Sequence, residues 1–265
     1  MERPNGHFNP SNPPPPQGPK LPEISVLERG AAKDGVPQEM DRRLFMQLLA
    51  YRCPPGSDPA ACLQALRDAA SGLSIGIVLY EDLNDPFGLA VLSFSEDPAD
   101  FATALRPLFA KEPLSSLVPR PELTMLGRTY SGGYEDDLKY WLLRRPAETV
   151  TNPEWPWAVW YPLRRTGAFA KLSRKEQAGI LREHATIGRA YGEKDLAHDV
   201  RLACHGLDVA DNEFVVGLLG KSLHPLSHVV QTMRSTRQTS EYIAKMGPFF
   251  VGRSVYAKAA EGTTD

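Results

Sequence analysis

Three short stretches carry side chains able to do more than pack. The first, NPEWPWAVWYPLRRTGAF (152–169), sets the phenol of Tyr161 four residues before the guanidinium of Arg165. Alternation along WAVWYPL puts Trp157, Val159 and Tyr161 on one strand face and Ala158, Trp160 and Pro162 on the other. Tyr161 and Arg165 are then either a core aromatic followed by solvated charge, or a redox-capable phenol facing a cavity whose mouth holds arginines for an anionic ligand. The second stretch, ILREHATIGRAYG (180–192), places His184 on or beside the apolar stripe of a helix. A histidine there is either a satisfied core residue or a ligand. Gly188, one turn later, costs a helix about 1 kcal/mol relative to alanine and is easier to understand where something flat approaches the backbone. In the third, HDVRLACHG (198–206), Asp199, Arg201 and His205 share a strand face opposite His198. They are what a ligand cavity needs, or simply a sheet edge.

The elements that must hold these groups recur twice. FMQLLAY, the helical DPAACLQALRDAASG, the hairpin IGIVLYEDLNDPFGLAVLSFS and the helical DPADFATALRPLF form one copy. WAVWYPL, SRKEQAGILREHATIGRAYG, DVRLACHGLDVADNEFVVGLLG and LHPLSHVVQTMRST form the other. Each reads strand, helix, hairpin, helix, with Asp- and Asn-rich turns joining the hairpin strands. Ser173 and Glu176 form a capping box before the His184 helix and Gly192 closes it. The pattern predicts an α+β fold of tandem ferredoxin-like halves, residues 23–145 and 146–265, whose sheets pack into one dimeric α/β-barrel-type domain. MLGRTY and PFFVGRSVYA are positioned to extend the sheets. DDLKYWLLRRPAETVTNPEWP, between the halves, reads as a connector over the surface, and the Pro-rich residues 1–22 as a disordered tail.

Composition narrows the classes. The chain has 265 residues, 42% hydrophobic and 23% charged, with a formal net charge of −2, so it has ample core material and no basic footprint for nucleic acid. No apolar run is long enough to span a bilayer and the N-terminus lacks the apolar core of a signal peptide, which makes the cytoplasm the expected location and a membrane partner unexpected. Three cysteines, none in a CxxC pair, indicate reduced thiols. Walker, G-x-S-x-G, H-E-x-x-H and G-x-G-x-x-G motifs are absent. Pro225 makes His224 a helix-start residue rather than a zinc ligand with His228, and Glu135, Asp136 and Asp137 read as a solvated turn.

From about Asp41 to Tyr256 the chain resembles the chlorite dismutase superfamily of heme proteins, which includes peroxide-dependent coproheme decarboxylases. The resemblance rests on Trp160-Tyr161-Pro162-Leu163 with Arg165, on His184-Ala-Thr-Ile-Gly188-Arg189-Ala-Tyr191, on Gly206-Leu207-Asp208, and on Met233-Arg234 followed by Gly247-Pro-Phe-Phe-Val-Gly252. It implies a porphyrin, heme b or coproheme, in the C-terminal half, with His184 as the iron ligand, Trp160, Gly188 and Arg165 beside the cofactor, and usually five subunits in a ring. Ala185 stands where members usually carry glycine, and Arg165 where decarboxylases commonly carry lysine. The family chemistry implies that peroxide oxidises the iron and then Tyr161, whose radical takes hydrogen from a propionate, which loses carbon dioxide to leave a vinyl group. Asp199 falls near the position where chlorite dismutases have arginine and many decarboxylases glutamine, with Arg201 two residues on. If Asp199 faces the iron, an anion such as chlorite is repelled; if Arg201 does, chlorite chemistry revives. Two further functions stay open on this reading, chlorite decomposition and heme binding without turnover. The carboxylate that supports the proximal histidine in chlorite dismutases has candidate substitutes in Gln238 and Glu241.

Overall fold

Residues 21–260 are described by a computed structural model. Of the expected tail only Leu21 and Pro22 fall among them, both exposed and without regular structure. The first half supplies β1 (Phe45–Arg52), α1 (Pro59–Ser71), β2 (Gly76–Asp82), β3 (Gly88–Ser95), irregular helical turns over Phe101–Ala110, and β4 (Met125–Thr129). A helical stretch then runs through Tyr140–Arg144 into α2 (Arg145–Thr151). The second half supplies β5 (Trp157–Arg165), α3 (Arg174–Glu193), β6 (His198–Ala203), β7 (Phe214–Gly220), α4 (Leu223–Arg234), α5 (Arg237–Tyr242) and β8 (Phe250–Lys258).

The eight strands close on themselves in the order β7-β6-β4-β1-β3-β2-β8-β5, with β5 returning to β7, and every pairing is antiparallel. Within the ring, β4-β1-β3-β2 and β8-β5-β7-β6 repeat one strand order, as the sequence repeat predicts. A closed sheet has two faces and each strand alternates between them. Inward residues, among them Met46, Leu48, Val78, Tyr80, Leu92, Phe94, Trp160, Val200, Leu202 and Phe250, form one interior core. Outward residues of the first half pack under α1 with Leu66 and Ala70. Outward residues of the second half, Val159, Tyr161, Leu163 and Leu218, pack under α4 with Leu226 and Val229.

The connector departs from expectation. Leu138, Leu142, Leu143, Ala147 and Val150 are buried within the interior core, so 138–150 plugs the barrel instead of crossing its surface. Pro146 lacks an N–H and would collide with the preceding turn of a regular helix. The chain absorbs it with a wide turn in which the Arg145 N–H donates to the Tyr140 carbonyl, five residues back, and the helix continues. The division at 145/146 therefore falls inside a helical segment that serves both halves.

Candidate functional site

The outer face of the second half gathers the chemistry. Register puts Tyr161, Val216 and Arg201 in one row across β5, β7 and β6, and Val159, Leu218 and Asp199 in the next. Both Asp199 and Arg201 thus lie on the face that carries Tyr161, while Val200 and Leu202 point into the barrel. α3 stands over this face with an unusual looseness: of its twenty residues only Ile180 is fully buried, and His184, Ile187, Gly188 and Tyr191 along the inward stripe are half-buried. The helix is held at its ends instead. The capping box is formed, with the Glu176 N–H donating to Ser173 Oγ at 3.3 Å and the Ser173 N–H to the Glu176 carboxylate at 3.0 Å. Near the other end the Tyr191 hydroxyl meets His228 Nδ1 at 2.6 Å and Thr232 Oγ1 at 2.9 Å, tying α3 to α4.

His184 Nδ1 lies 3.5 Å from the hydroxyl of buried Thr236. That hydroxyl donates its own hydrogen to the Met233 carbonyl at 2.7 Å, so toward the imidazole it can only accept. The hydrogen then belongs on Nδ1 and the lone pair on Nε2 is left for a ligand. Burial, reinforced by the positive charge of Arg201 and only partly opposed by Asp199 and Glu183, lowers the His184 pKa, which keeps the ring neutral near pH 7. Glu241, considered as a support for this ring, is occupied by Arg237 at 3.1 Å, and the Oε1 of Gln238 is buried without a partner. Thr236 is the group beside the ring.

Tyr161 is 6% exposed and stacks on Phe249 with ring centroids 4.7 Å apart. Burial, with a contribution from nearby Asp199 and against one from Arg234, raises its pKa, so the phenol keeps its proton. Arg165 is not a free cation: its Nε and backbone N–H both donate to Glu213 Oε2, at 3.0 and 3.1 Å, and its guanidinium lies over the rings of Phe169 and Phe214. An anion reaching Arg165 has to share it with Glu213.

Asp199 accepts from two cations, Arg145 at 2.7 Å and Arg201 at 2.9 Å. Burial pushes its pKa up, but Arg201 and Arg145 outweigh that and hold it below the ordinary carboxylate value. Both guanidiniums also lie over one indole, that of Trp141, at 4.5 and 5.3 Å from the ring centre. Sequence reading missed Arg145 and Trp141 altogether. Their i,i+4 spacing was visible in WLLRR, but the assignment of that stretch to a surface connector hid it.

Of two expected neighbours of the cofactor, Trp160 faces away from Tyr161 and Gly188 is left open. Trp160 is fully buried on the interior face, where its six-membered ring lies so close to Gly217 that a Cβ there would come within 2.5 Å of it. It lies on the side of the sheet opposite Tyr161 because adjacent residues of a strand face opposite ways. At Gly188 an added Cβ would meet only the Met233 methyl at an ordinary 3.7 Å, so no protein group approaches that backbone closely. His205 lies beyond the end of β6, edge-on to Phe214. Among the described residues no three His, Cys, Asp or Glu side chains gather as a metal cage, and no helix is long and apolar enough to cross a membrane.

The family model for chlorite dismutase matches residues 60–255. Among solved structures, a heme-binding protein from Thermus thermophilus is similar over 89% of this chain and 95% of its own, with 20% identity and a TM-score of 0.63. Chlorite dismutase from Candidatus Nitrospira defluvii, in complex with imidazole, is similar over 82% of this chain and 93% of its own, with 13% identity and a TM-score of 0.64. Among curated proteins, none matches the sequence.

Proposed function

The chain belongs to the chlorite dismutase family, and from that premise we propose that it is a heme-binding oxidoreductase that decarboxylates coproheme at the expense of peroxide. In this reading the repeated strand order is two ferredoxin-like halves, α3 and the outer face of the second half enclose the porphyrin, and subunits assemble as a homopentamer. The observation that carries it is the pairing of a neutral, Nε2-available His184 on a loosely packed helix with a buried phenol on the facing sheet. The donor set would suit a porphyrin: one imidazole to hold its iron, apolar walls from Val159, Leu218 and Val216, and cations for the carboxylate arms.

Heme bound there would supply the oxidising equivalents drawn from peroxide. His184 would hold the iron through Nε2 while Thr236 fixes the ring by accepting from Nδ1. Arg165 would hold a propionate carboxylate, with Glu213 limiting how tightly. Tyr161, whose raised pKa keeps hydrogen on the phenol oxygen, would give up that hydrogen atom only when oxidised and would recover one from the propionate held against it. The second oxidising equivalent from peroxide would take the remaining electron as the carboxyl leaves as carbon dioxide and the vinyl bond forms. The test is to load purified protein with coproheme and, separately, with heme b, add peroxide to each, and follow the absorption spectrum and porphyrin mass. Stepwise loss of carbon dioxide from coproheme alone is the expected result. Oxygen release from chlorite favours a second reading, for which Arg201 in the Tyr161 row is the supporting observation. Stable heme with neither reaction favours a binding protein.

A further inference from the structure

Asp199, Arg145, Arg201 and Trp141 form a cluster that the family motifs do not contain. Two guanidiniums resting against one indole, half-buried Arg145 and more exposed Arg201, repel each other and are stabilised by a counter-charge. Asp199 supplies it, one carboxylate oxygen to each arginine. Summed over the three charged groups, the cluster is left with one excess positive charge.

We propose that Arg145 and Arg201 constitute an anion site on the sheet side of the pocket, held closed by Asp199 as its built-in occupant, and that its ligand is a small monovalent anion or a single carboxylate arm. The geometry dictates the class. Arg145 meets Asp199 through Nη2 alone and Arg201 through Nε alone, so both guanidiniums, held against the Trp141 indole, keep further N–H donors to bind a planar or linear anion by charge-assisted hydrogen bonds. Arg145 comes from the barrel plug, not from the strands, so the plug sets what this wall accepts. The inference deepens the heme-site reading and rests on it for where the bound anion sits, but the cluster itself exists without heme.

The test therefore has two arms. In the heme-free protein, thermal unfolding is followed against sodium azide at constant ionic strength, for wild type, Asp199→Asn and the double variant Asp199→Asn/Arg145→Gln. Asp199→Asn preserves shape and leaves the arginines without their carboxylate, so its midpoint should climb with azide while wild type moves less and Asp199→Asn/Arg145→Gln not at all. In heme-loaded protein the azide dissociation constant, read from the visible spectrum, should fall about tenfold or more in Asp199→Asn and rise several-fold in Arg145→Gln. Equal azide response in wild type and Asp199→Asn in the heme-free arm overturns the anion site. A heme-free response as expected together with failure to load heme overturns the porphyrin reading and leaves the anion site standing.

Discussion

At the scale of single residues, two side chains separate the readings. His184→Ala should abolish the Soret shift on titration with heme while leaving the far-ultraviolet circular dichroism intact, since a half-buried side chain on a loosely packed helix contributes little to the fold. Undiminished heme binding would remove His184 as the iron ligand. Tyr161→Phe keeps the ring that stacks on Phe249 and removes the O–H, so coproheme should bind normally but release no carbon dioxide with peroxide. Equal turnover in both forms would exclude the phenol. The types and order of these residues were legible because each sits in an element with a clear period. What was not legible is partnership across elements. Nothing near Asp199 in sequence announces Arg145, fifty-four positions earlier, or reveals that Arg165 is shared with Glu213. Trp160 is the opposite case: its position one residue before Tyr161 already assigned it to the other face, and family likeness alone put it beside the cofactor.

At the scale of elements, α3 and the plug behave differently. α3 owes its definition to local signals, so Ser173→Ala should cost about 1 kcal/mol. The Glu176 carboxylate in that cap is held below its ordinary pKa by the Ser173 hydroxyl and backbone N–H. A lowered folded-state value means this contribution is full above the unfolded value near 4.5 and fades as pH falls through the folded one. Wild type should therefore lose more α3 helicity between pH 5 and about 3 than Ser173→Ala does. The plug owes its place to burial: Leu142, fully buried, should cost about 2–5 kcal/mol when changed to alanine, measured by denaturant unfolding. If 138–150 were a surface connector, that change would be nearly silent. Strands and paired helices were legible from alternation and caps, whereas the plug was not, because Pro146 and its flanking charges have the composition of a loop and only the barrel interior gives its leucines a destination.

At the scale of the whole molecule, the repeated succession of strands and helices and the expectation of a barrel were legible, but not the strand order or the pairings that close the ring. Closure is carried by backbone pairing between halves and by volume fitting within, of which Gly217 under the Trp160 ring is one instance. Gly217→Ala would force that indole aside and should lower the thermal midpoint by several degrees, a cost of about 1–3 kcal/mol for overpacking. Light scattering should return a multiple of 29.3 kDa, five-fold on the proposed assembly, and a monomer would count against it. The two joints between halves are unequal: β2 meets β8 through six residue pairs, β4 meets β6 through only Arg128–Ala203 and Thr129–Leu202. Such a ring has a hinge and a seam. Breathing motions should part the sheet at the seam before anywhere else, and amide protons of 128–129 and 202–203 should exchange with solvent sooner than those of 77–82. Because β6 is one lip of that seam, the strand that carries Asp199 and Arg201 is paired to β7 along its length but to β4 only at 202–203, and a ligand bridging it to α3 would act as a clasp on the whole ring.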